Sequence, residues 1–144
     1  MKEYLEKAKE LIDGSDAVFA AVSENETITS PVKGIGFVAS LCNGKKDLSA
    51  FCVADKIVGK AAAMLFVLLG IKTVHAKTLS LGGKEIFEKY GIEYTFDVLT
   101  DIIINRTGDG MCPMENAVKD CTEPCDALKN INAAIERLKK ANNT

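Results

Sequence analysis

From residue 48 onward the chain alternates apolar runs of strand length with helix-length segments, and that alternation is the strongest constraint on its fold. Residues 48–54 read as a buried strand, and 56–69 as a helix apolar on nearly every face, closed by Gly70. Residues 71–79 form a strand rich in branched side chains, and 83–90 a short helix stopped by Gly91. A further strand at 92–98 and an extended stretch at 101–105 follow. A helix then starts near Pro113. The last helix, about 125–142, carries Leu128, Ile131, Ile135 and Leu138 as its apolar stripe. Upstream, Tyr4, Leu5, Ala8, Leu11 and Ile12 recur at helical spacing until Gly14. Residues 17–22 and 27–29 read as two strands joined by a polar turn, and 37–42 as a short segment of helical character after Gly34 and Gly36. A hairpin followed by β-α units predicts an α/β fold. The expected architecture is a three-layer α/β/α sandwich on a mixed sheet, parallel in its later half. Ligands of such sheets sit outside the carboxyl ends of the strands.

The 144 residues contain no linker-like tract, so a single domain spanning 1–144 is expected, large enough to bury a real core. A net charge of −2 gives no electrostatic footprint for a nucleic acid polymer. One histidine excludes sites that need two or three imidazoles. The run 61–71 is far short of the about 20 apolar residues a bilayer crossing takes. The charged N-terminus lacks a signal-like stretch, and the five cysteines are odd in number. Free thiols in the cytoplasm, with no membrane partner, are therefore expected. No GxGxxG, GxxxxGK[ST] or GxSxG occurs, and no cofactor or resident metal is expected. A homodimer is allowed for.

Two predicted helix starts break local rules. In Val53-Ala54-Asp55-Lys56-Ile57-Val58-Gly59-Lys60, Asp55 suits an N-cap. Lys56 and Lys60 would then share one side of the first turn, where the helix dipole disfavours cations. They either extend to solvent, pair with Asp55 or meet an anion. Gly59 weakens the helix, which suggests close approach of a backbone or ligand. In Asn105-Arg106-Thr107-Gly108-Asp109-Gly110-Met111-Cys112-Pro113-Met114-Glu115, two glycines permit left-handed turns and Pro113 suits the first helical position. Cys112 at a helix start is a candidate nucleophile, and Arg106 beside the glycine turn could hold an anion. The alternative is a tight turn with a structural arginine. His75, in an apolar-flanked strand, reads as a satisfied buried imidazole. Cys112, Cys121 and Cys125 lack metal-site spacing.

Through Ala54-Asp55-Lys56-Ile57-Val58-Gly59-Lys60-Ala61-Ala62-Ala63 and through Asn105-Arg106 with Cys112-Pro113-Met114-Glu115, the chain resembles a family of small, uncharacterised prokaryotic proteins. That family is a domain of unknown function assigned to the cytidine-deaminase-like superfamily, and the resemblance spans about residues 17–118. It implies a three-layer sandwich with a ligand cleft where the helix after Ala54 begins. Zinc deaminases carry His-Ala-Glu or Cys-Ala-Glu at that place and Pro-Cys-x-x-Cys at the next helix start. Here Asp55-Lys56 and Ser80-Leu81-Gly82-Gly83 stand instead, so zinc-dependent deamination is not expected.

The expected site is a hollow for a nucleotide-like or other small anionic molecule, with Asp55, Lys56, Lys60, Asn105, Arg106, Gly108, Gly110, Cys112 and Glu115 around it. Three functional alternatives stay open. The protein binds only, as a regulatory module; or Cys112 acts as nucleophile, or Asp55 and Glu115 share acid–base work, in a hydrolase or transferase. A divergent metal site built from Asp55, Cys112 and Glu115 is the third. All of them need the two segments to be neighbours in space.

Overall fold

The computed structural model describes residues 2–104, 110 and 112–142. Its elements run α1 (Lys2–Gly14), β1 (Phe19–Val22), β2 (Thr27–Ser30), α2 (Gly36–Asn43), β3 (Cys52–Val58), α3 (Lys60–Leu68), β4 (Thr73–Ser80), α4 (Leu81–Lys89), β5 (Glu93–Thr100), α5 (Pro113–Val118) and α6 (Pro124–Asn142). The five strands form one mixed sheet in the order β2-β1-β3-β4-β5. β1 is antiparallel to both β2 and β3, while β3, β4 and β5 are parallel. Among the described residues, no helix is long and apolar enough to cross a membrane.

The two faces of the sheet are covered unequally. On one, α1 sets Ala8 and Ile12 against Ala20, Val22 and Ala54 in a small cluster. On the other lies the main core, where α3 packs centrally between the sheet and the remaining helices. Every residue of Ala63–Phe66 is fully buried, which is why this helix is apolar all round. Rings of Phe19, Phe66, Phe87 and Tyr94 run in sequence across this core.

The stretch expected to be extended at 101–105 begins with a bend at Asp101 and Ile102, and the boundaries around Asp55, which matter for the site, also depart from expectation. The strand predicted at 48–54 begins at Cys52 and runs on to Val58, and the helix predicted from Lys56 begins at Lys60. Asp55 is therefore no N-cap; it lies within a strand, paired with Phe19 on one side and Ala76 on the other. Pairing with β4 continues through Ile57↔Thr78 and Val58↔Leu79. Two β-branched residues between paired neighbours favour the strand over the helical alternative that Asp55 offers locally. Lys56 and Lys60 accordingly do not share a helical turn. Elsewhere the start of α5 at Pro113, with Cys112 in the capping position, agrees with expectation.

Candidate functional site

α3 begins on Gly59, whose backbone is extended and which has no side chain to cap the helix. The four leading N–H groups of a helix need acceptors from elsewhere. Glu115 supplies them for two of the four. Its Oε1 accepts from Lys60 N and its Oε2 from Ala61 N, both at 2.7 Å. A carboxylate does occupy the positive end of this helix, and it belongs to the chain itself. Gly59 makes room for it, because a Cβ at this position would collide with the Glu115 carboxylate. Gly59 is also pressed from behind, since a Cβ on Gly83 would stand 3.2 Å from its carbonyl carbon and oxygen.

This bridge bears on two of the residues singled out in the sequence. Glu115 has a structural part as well as a place in the cavity wall, since each of its oxygens accepts a backbone N–H group. Burial raises its pKa, while those two N–H groups and the nearby Lys60 pull the other way. Lys60 is outside the lining of the cavity that Glu115 lines, and its Nζ donates to Lys119 O at 3.0 Å, at the far end of α5. The two segments are neighbours nonetheless, joined 55 residues apart in sequence. The Cys112 N–H donates to Ile103 O at 2.9 Å, drawing the stretch before α5 back to the same place.

Between them opens a cavity of about 370 Å³ alongside the second half of β3. Its walls are chiefly apolar, with Ile35, Val38, Ile57, Ala62, Ile104 and Met114 prominent. Asp55, Lys56, Lys33, Cys112 and Glu115 contribute the polar and reactive groups. Few polar groups in an apolar hollow is the usual composition of a small-molecule site. Asp55 shares a sheet face with Phe19 and Ala76, so it faces the main core rather than α1. It is partly buried, and its Oδ1 accepts a long 3.4 Å bond from Ile57 N. Burial pushes its pKa up to about 8, against the pull of the Ile57 and Lys56 N–H groups. At neutral pH this carboxyl is mostly protonated, able both to donate and to accept.

Gly110 is exposed, and Asn105, Arg106 and Gly108 lie outside the described residues. The wall from Lys33 to Val38 is the part that sequence reasoning missed. Its one signal was the glycine pair, of which Gly34 adopts φ +93°. His75 is buried and satisfied, with Nδ1 2.7 Å from Thr95 Oγ1 and Nε2 3.4 Å from Asp97 Oδ1. Among the described residues, no three His, Cys, Asp or Glu side chains converge as metal ligands.

No curated protein matches the chain. Among solved structures it is similar to the crystal structure, at 2.70 Å resolution, of a DUF1893 family protein (TM1506) from Thermotoga maritima. The two share 28% sequence identity with a TM-score of 0.82, over 92% of this chain and 90% of that one. Residues 7–135 match the family described as TM1506, domain of unknown function (DUF1893), and the chain belongs to that family.

Proposed function

We propose that the protein binds a small nucleotide-like molecule in the cavity at the end of β3. The observation that carries this reading is Asp55, a carboxyl that lines an apolar hollow and is held largely neutral there by burial. A neutral carboxyl pairs well with a planar edge offering one donor and one acceptor, as a nucleobase does. The apolar walls suit the faces of the ring. An anionic part of the same ligand would lie towards Lys33 and Lys56, since the start of α3 is taken by Glu115. Arg106 belongs to this proposal as a further anion contact. Kinship with the cytidine-deaminase-like superfamily belongs to it too, supported by the hairpin followed by β-α units and by a hollow where α3 begins.

Calorimetric titration with ribonucleosides and their 5′-monophosphates tests the reading. Asp55→Leu should abolish binding of both, leaving the far-UV circular dichroism unchanged. Lys56→Ala and Arg106→Ala should weaken the monophosphate more than the nucleoside. Failure of every monophosphate to bind the wild-type protein would remove the proposal. A second reading, in which the Cys112 thiolate displaces a leaving group from the bound molecule and water then cleaves the bond to sulfur, is favoured by its place in the same wall. Protection of that thiol from alkylation by a bound monophosphate, and loss of turnover in Cys112→Ser, are its expected results.

A further inference from the structure

The two edges of the sheet are built differently. β2 is four residues long, and its residues Thr27, Thr29 and Ser30 carry hydroxyls. β5 has eight residues, Glu93-Tyr94-Thr95-Phe96-Asp97-Val98-Leu99-Thr100, with no proline and no lysine. It runs in unbroken register with β4, so no bulge turns its edge away. Phe96, Val98 and Leu99 are 39%, 54% and 39% exposed. Edge strands are normally short, charged or kinked to prevent pairing with another strand, and β5 has none of these protections beyond two acidic residues.

Among the described residues no strand pairs with its outer edge, and its sequence selects what would cover it. The Glu93 N–H donates to Lys72 O at 2.9 Å. By alternation, the N–H and C=O groups of Tyr94, Phe96 and Val98 point out of the sheet. We propose that β5 pairs antiparallel with β5 of a second copy of this chain, about a two-fold axis at Phe96, making one continuous sheet through two protomers.

In that register Phe96 faces Phe96 of the second copy, and Tyr94 faces Val98 in both directions. Each of these pairs exchanges two backbone hydrogen bonds. Tyr94 and Phe96 already lie with ring centroids 6.4 Å apart, so the pairing extends an aromatic row across the axis. On the opposite face Thr95 meets Asp97. The rival register of equal length, centred on Asp97, would set two carboxylates against each other, which disfavours it. Centring on Thr95 would oppose Glu93 and Asp97.

Sedimentation equilibrium across a concentration series should give twice the 15.5 kDa chain mass. Val98→Pro removes one outward N–H at an exposed edge position and should give a folded monomer with unchanged circular dichroism. Thr29→Lys, on the other edge, should leave the dimer intact. In hydrogen exchange the amides of Tyr94, Phe96 and Val98 should be protected in the wild type and lose that protection on dilution to monomer. A wild-type monomer at every concentration, a Val98→Pro dimer, or dissociation by Thr29→Lys would each overturn the proposal.

Discussion

Gly59→Ala is expected to lower the unfolding free energy by about 2–4 kcal/mol, among the larger effects any single methyl group could have in this chain. Backbone strain is not the reason, because φ −108° and ψ −169° suit any L-residue. The added Cβ would lie in the space of the Glu115 carboxylate, which must then leave Lys60 N and Ala61 N. Two partly buried N–H groups would lose a charged acceptor, and α5 would lose its hold on α3. The prediction is sharpest as a double-mutant cycle. Glu115→Ala alone should cost about 2 kcal/mol through the lost cap. In that background Gly59→Ala should cost less than about 1 kcal/mol, since nothing remains for the Cβ to displace. Urea titrations of the four proteins provide the measurement. Additive losses would mean that Gly59 is required by something else, with the contact at Gly83 the remaining candidate.

The same pair explains what could and could not be read from the sequence. Pro113 at the start of α5 and the apolar stripe of α6 through Leu128, Ile131 and Ile135 were legible because neighbouring residues decide them, whereas Leu138, the last of that stripe, is exposed. Gly59 was legible as an anomaly, a poor helix former at a helix start that signalled close approach of another group. That group was an internal carboxylate on Glu115, 55 residues beyond Lys60, and no local pattern could name it. Asp55 misled for the opposite reason. Its side chain is a good N-cap in isolation, and only pairing with β1 and β4 keeps the chain extended through Val58. Moving the helix start by those few residues turns Asp55 from a cap into a cavity wall. It also separates Lys56, which lines the cavity, from Lys60, which closes the end of α5. The Lys33–Val38 wall depends on tertiary packing of α2 and left only its glycines as a trace.

Asp55→Asn is expected to remove a pH dependence that the wild-type protein shows between about pH 4 and pH 8. In the folded protein this carboxyl has a pKa raised to about 8 by burial. In the unfolded chain it ionises near pH ~4, like any aspartate. Between those values the unfolded state binds fewer protons than the folded one, so this group makes stability fall as pH rises; above about 8 its contribution is level. Because Asp55 is only partly buried, the full shift overstates the effect, and a total loss on the order of 2 kcal/mol is expected. Asparagine has the size of the neutral acid and no proton to lose. The variant should therefore match the wild type near pH 4 and exceed it by that amount near pH 9, in denaturation midpoints recorded across the range. Parallel curves would mean that Asp55 ionises normally. The binding proposal makes a linked prediction on the same two proteins. An amide still offers a donor and an acceptor, so the variant should keep its affinity for a monophosphate. The wild type should lose about tenfold per pH unit above 8, where its donor disappears. Retention of affinity by the wild type through pH 9 would show that the carboxyl is not the recognition group, whatever its effect on stability.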